Sequence, residues 1–159
     1  MSCVYGRHRN FDSKRASPAA FTVHSIRKGW NPADPTLNER LRLRAASASM
    51  MMIRRNAFAE QEGFDVDFVN GMEDIDLSLR MGLTGKSCLY EPGAVGIHFG
   101  GASGWARWRF RAENLRRFWN RWRGEIEPDF IVAGDGSIQR AATSLIEAYS
   151  LPELVEQFV

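Results

Sequence analysis

Apolar positions along this 159-residue chain change period several times, and each change marks an expected element. Residues 2–5 predict the end of a short strand, with no helix or turn ahead of them to pack on. From 7 to 44 the chain turns polar and basic and is broken by Pro18, Pro32 and Pro35. This stretch reads as a variable connection with a charged helix over 37–44. The apolar run 48–53, ended by Arg54 and Arg55, predicts a buried strand. Asn56 then caps a helical turn through Glu62, which Gly63 stops.

Residues 63–71 form a loop by their aspartates and closing Asn-Gly pair. Over 72–85 two periods compete. Ile75, Leu77, Leu79, Met81 and Leu83 alternate as in a strand. Against that, Glu73, Asp74 and Asp76 crowd one end, Arg80 follows Asp76 by four residues, and Gly85 offers a stop. Acidic groups at an N-terminus, an i,i+4 ion pair and a terminal glycine favour a helix, which is the expectation adopted. Strands are expected at 87–90 and 93–99, then a glycine bridge at 100–104 and a helix rich in arginine and tryptophan over 105–122. A turn at 134–136 and an amphipathic helix over 138–149 complete the chain. There is no internal repeat.

Composition narrows the class. A mass of 18.0 kDa with 44% hydrophobic and 25% charged residues suits an ordinary globular domain. The net charge of +2 is too mild to argue for a nucleic-acid partner. Cys3 and Cys88 lie far apart, without a metal spacing, and are too few for a disulfide framework. The first residues place charge and glycine where a signal peptide needs an apolar region, and no apolar run approaches the ~18 residues of a membrane span. The expected location is cytoplasmic, soluble or peripheral at the inner face of the membrane.

The chemistry concentrates in GFDVDFVNGMEDIDLSLRMGLTGKSCLYEPGAVGIHFGGAS, at 63–103, preceded by SASMMMIRRNAF at 47–58. The order of loop, Gly71, Glu73-Asp74, amphipathic helix, strand, His98 and glycine bridge resembles the C-terminal, acceptor-side part of the inverting family-two glycosyltransferases with the GT-A fold. The flanks at 4–7 and 113–122 also look like that family. The resemblance implies an α/β chain, a partial GT-A (Rossmann-like) fold with a short mixed sheet and flanking helices. It divides the chain into a partial glycosyltransferase domain at 1–124 and a helical tail at 125–159.

By the same resemblance Asp74 is the catalytic base that takes the acceptor proton, and Glu73 binds the acceptor or orients the site. Asn70, Gly71 and Trp105 fall on the acceptor side. His98 falls where a histidine helps hold the metal or the diphosphate. The implied substrates are a nucleotide-sugar donor and a glycan or lipid-linked acceptor, with a divalent cation, Mg or Mn, in the complete enzyme. Physical chemistry agrees on the need for a carboxylate, a cation and an open loop. Each residue also has a structural reading. The acidic triplet complements a helix dipole, and a histidine at a strand end serves equally as a half-buried hydrogen-bonding group. His8 and His24 have no supporting context and are expected at the surface.

Two letter patterns are set aside. Asp65-Val-Asp67 has the DxD form that grips metal and nucleotide diphosphate, but it sits where the family carries its acceptor loop. An EF-hand is ruled out because Asn70 stands at the required glycine and Val69 replaces an oxygen ligand.

Residues 105–123 hold four of the five tryptophans and seven of the 21 basic residues. Trp108, Phe110, Leu115, Phe118, Trp119 and Trp122 are expected to cover the sheet while the arginines reach outward. Binding to an anionic membrane surface is the alternative. The family's nucleotide-binding half, with its DxD, has no counterpart here. A shortened, degenerate or split enzyme, needing that half as a partner, and a non-catalytic glycan- or membrane-binding module both stay open.

Overall fold

A computed structural model describes residues 3–6, 21–24, 35–98, 104–127, 129–132 and 138–141. The chain is α/β. Strands β1 (Cys3–Gly6), β2 (Phe21–His24), β5 (Phe130–Val132) and β6 (Ile138–Arg140) form a mixed sheet of order β2-β1-β5-β6. β1 runs antiparallel to β2 and parallel to β5, and β5 runs antiparallel to β6. A second, two-stranded antiparallel sheet joins β3 (Leu41–Leu43) to β4 (Cys88–Tyr90). The helices are α1 (Arg55–Glu60), α2 (Glu73–Leu83), α3 (Ala106–Arg109) and α4 (Arg111–Trp122).

The main competition of periods resolves as a helix. α2 buries Ile75, Leu77 and Leu79 and carries Glu73, Asp74 and Asp76 in its first turn. Gly85 follows with φ +76°, a left-handed conformation that glycine adopts without steric cost. Residues 88–90 are a strand as expected.

Several expectations fail, for identifiable reasons. The charged helix over 37–44 is instead a 3-10 turn at Pro35–Asn38 followed by β3. Leu41 and Leu43 are buried with Arg42 exposed between them, so the local period is two, and β4 supplies the antiparallel partner. The apolar run 48–53 is not a buried strand. It begins with a 3-10 turn at Ala48–Met50, and Met52 is 99% exposed. Asn56 lies inside α1, whose N-cap is Arg54. Residues 93–98 are exposed irregular chain rather than a strand. The residues 138–140, expected to open a helix, pair with β5 as a strand. Residues 100–103 of the glycine bridge, the turn at 134–136 and residues 142–149 of the expected tail helix lie outside the described residues, as do His8 and most of the 7–44 connection.

The arginine-tryptophan segment is not one helix. Phe110, at φ −101° and ψ 2°, separates α3 from α4. Its buried rings join the core around α2. Phe118 and Trp122 pack with Ile75 and Leu79 of α2, with Phe68 of the preceding loop and with Ala45 just after β3. Truncating either buried ring costs about 3–5 kcal/mol by the usual large-to-small scale. This core fixes α4 against α2 and therefore fixes the loop that leads into α2. Arg44 Nε meets the fully buried Asp129 at 3.1 Å, which ties the end of β3 to the start of β5.

Candidate active site

The junction between the 63–71 loop and α2 is built by three tethers. The first is Asn114 of α4, 3% exposed, which lies on the same buried stripe as Phe118 and Trp122. Its Oδ1 accepts from Val69 N at 3.2 Å and its Nδ2 donates to Val69 O at 2.8 Å. One amide side chain thus binds both backbone polar groups of one loop residue.

The second tether is electrostatic. Asp65 Oδ2 pairs with Arg121 Nη2 at 2.6 Å and Asp67 Oδ2 with Arg117 Nη1 at 2.7 Å. The DxD letters are therefore spent on cations of α4, which agrees with setting them aside as a diphosphate grip. The backbone N–H of Asp67 holds the Asp65 carboxyl below its ordinary range, and Arg121 adds to this against the opposing effect of burial.

The third tether is Asp76, which is fully buried. It accepts from Arg80 Nε at 2.8 Å, Arg121 Nη1 at 2.7 Å and Trp122 Nε1 at 2.9 Å. Arg80 also donates to the carbonyls of Gln61 and Gly63. A carboxylate taken out of water needs such compensation, and here it receives two guanidinium groups and an indole. Asp76 is a structural carboxylate and has no face left for a substrate.

These tethers present Glu73 and Asp74. The loop enters α2 through Asn70 (φ +55°), Gly71 (φ +158°) and Met72 (φ +76°). A left-handed methionine costs about 1–2 kcal/mol and persists only where surrounding bonds over-determine it. Glu73 Oε2 accepts from Gly71 N at 2.5 Å, so the first helical residue braces the loop. Asp74 is half-buried. Its Oδ1 accepts from Ile75 N at 2.9 Å and its Oδ2 from Ala48 N at 2.8 Å. Ser78 Oγ donates to the Asp74 carbonyl and accepts from Ala46 N, so residues 46–48 are stitched along α2. Each Asp74 oxygen keeps lone-pair capacity, because a carboxylate offers about four acceptor sites. An oriented, partly exposed carboxylate of this kind is able to take a proton from a hydroxyl within about 2.6–3.2 Å.

Asn70, Gly71, Glu73 and Asp74 are thus gathered in one junction. His98 and Trp105 are not joined to it by any described hydrogen bond or ion pair, and both are exposed. No group of three or more His, Cys, Asp or Glu side chains among the described residues is arranged to hold a metal ion. His98 belongs to no such group among the described residues, so those residues alone do not make a cation site.

Asn114 and Asp76 carry the junction, and the residue pattern pointed to neither as such. The available signal was a polar residue on the apolar stripe 114, 118, 122, and an acid flanked in α2 by buried Ile75 and Leu77. Cys88 is a free thiol that burial pushes up in pKa, partly offset by hydrogen bonding with the Ser78 side chain and the Ala46 backbone.

No protein-family profile and no solved structure matches the chain. A stretch of 52 residues, 33% of this chain, is 40% identical to the N-acetylglucosaminyl-diphospho-decaprenol L-rhamnosyltransferase of Mycobacterium tuberculosis, in each of two strains. The match spans 17% of that protein's length. No helix among the described residues is long and apolar enough to cross a membrane. Across 33% of its length, the chain is similar to part of a glycosyltransferase.

Proposed function

We propose that the chain is the acceptor-side portion of an inverting glycosyltransferase of the GT-A type, acting on a glycan or lipid-linked hydroxyl. The observation that carries this reading is the Glu73–Asp74 junction, two adjacent carboxylates braced at the entry to α2 by Gly71 N and Ala48 N. The 40% identity over 52 residues to a transferase named for an N-acetylglucosaminyl-diphospho-decaprenol supports the lipid-linked class.

In this scheme the acceptor hydroxyl docks over Asn70 and Gly71 and gives its proton to Asp74. The acceptor oxygen attacks the anomeric carbon from the face opposite the departing nucleoside diphosphate, so the configuration inverts. Glu73 keeps the loop in place. The donor is brought by a nucleotide-binding portion, which also supplies the grip on the diphosphate and any Mg or Mn. Met50, Met52, Val95 and Ile97, all exposed, lie on the segments 48–53 and 93–98, which touch where the Met50 sulfur meets Gly96. This apolar surface, adjoining the Ala48 that Asp74 holds, is where that portion packs in the proposal.

The test is transfer by the chain joined to a nucleotide-binding half, with Asp74→Asn as the decisive variant. A general base contributes about 10²–10⁴-fold, so kcat falls by that order while acceptor KM changes little. Unchanged transfer in Asp74→Asn removes Asp74 as the base.

A further inference from the structure

Five arginines of α3 and α4, at 109, 111, 116, 117 and 121, divide into two groups. Arg117 and Arg121 turn toward the 63–71 loop and are neutralised by Asp65, Asp67, Asp76 and Glu113. Arg109, Arg111 and Arg116 are exposed and form no ion pair among the described residues. Beside the first two stand the rings that the core leaves out. Trp105 is 78% exposed and Trp108 is 63% exposed. The Arg111 guanidinium lies 5.7 Å from the centre of the Trp108 ring, and Arg109 lies 5.5 Å from that of Phe110.

Two indoles in water cost hydrophobic free energy, and uncompensated guanidinium groups beside them form a positive rim. An amphipathic ring at headgroup level with arginine reaching phosphate is the chemistry of an anionic bilayer surface. The break at Phe110 allows this: it ends α3, which carries the exposed Trp108, before α4 begins with its buried stripe of Asn114, Phe118 and Trp122. We propose that Trp105, Trp108, Arg109 and Arg111 form a docking surface for anionic phospholipid. The surface is independent of the Glu73–Asp74 chemistry, so either reading survives failure of the other.

The experiment is flotation of the full chain with vesicles of phosphatidylglycerol and phosphatidylcholine, against vesicles of phosphatidylcholine alone. The chain rises with the anionic vesicles only. Arg109→Gln with Arg111→Gln weakens partitioning about fivefold per arginine, the effect of roughly one surface charge each. The double lysine variant at the same positions restores most of it, which separates charge from fold. Trp108→Ala lowers quenching of tryptophan emission by brominated lipid. Absence of flotation, or flotation undiminished in the glutamine variant, overturns the proposal. So does binding to short DNA by the full chain in the absence of flotation, which would make the patch a nucleic-acid surface.

Discussion

Asn114 grips Val69 by both sides of its backbone, with Val69 N donating to Oδ1 at 3.2 Å and Nδ2 donating to Val69 O at 2.8 Å. A side chain here does what a neighbouring strand would do, and it does so next to three consecutive positive-φ residues, Asn70, Gly71 and Met72. The loop's unusual backbone is therefore sustained from α4, across 45 residues of sequence.

Asn114→Ala removes two hydrogen bonds and leaves the Val69 N–H and carbonyl without that partner. At about 1 kcal/mol per bond, with desolvation added, the expected loss is about 2–3 kcal/mol of unfolding free energy. Urea denaturation measures it, and limited proteolysis should show new cleavage near 69–72. A loss under about 0.5 kcal/mol would mean that the loop holds itself.

Asp74 and Asp76 lie two residues apart and should differ several-fold in what their substitution costs. Asp76→Ala strands Arg80 and Arg121 and the Trp122 indole, at a cost of about 3–5 kcal/mol. Asp74→Asn keeps one accepting oxygen and costs about 1 kcal/mol or less. Thermal melts of the pair decide it. Equal destabilisation would make Asp74 a structural residue and undercut its role as a base.

Asp65 makes stability depend on acidity. Its carboxyl is held below the ordinary 3.8 chiefly by the Asp67 N–H, with help from Arg121. A depressed folded-state value gives stability that is fully present above the unfolded value and lost as pH falls through the folded one. Unfolding free energy should therefore decline below about pH 4, and Asp65→Asn should flatten the decline contributed by this group. Denaturation midpoints at several acid pH values test this. An identical slope in the variant would count against it.

Glu62 sits exposed at φ +56°, immediately before Gly63. Glu62→Gly relieves left-handed strain of about 1–2 kcal/mol and adds unfolded-state entropy that opposes it by roughly half as much. The net expectation is stabilisation of about 0.5–1 kcal/mol, read as a raised melting temperature. A lowered melting temperature refutes it.

Sequence alone determined the elements whose signals are local. α2 declared itself through its acidic first turn, the Asp76–Arg80 spacing and Gly85, and the adjacent Glu73-Asp74 pair was legible because helix entry and loop chemistry lie within a few residues. Tertiary structure decided what depends on partners. Residues 41–43 are a strand because β4 pairs with them, and the apolar run 48–53 is no buried strand because nothing among the described residues pairs with it. Asp76 is sealed in the core and Asp74 left at its edge by where α4 lies, since two acids in one helical turn look alike until a neighbour covers one of them. The division of the arginines has the same origin: charge is written in the chain, but which charges are neutralised depends on which acids the fold brings within reach.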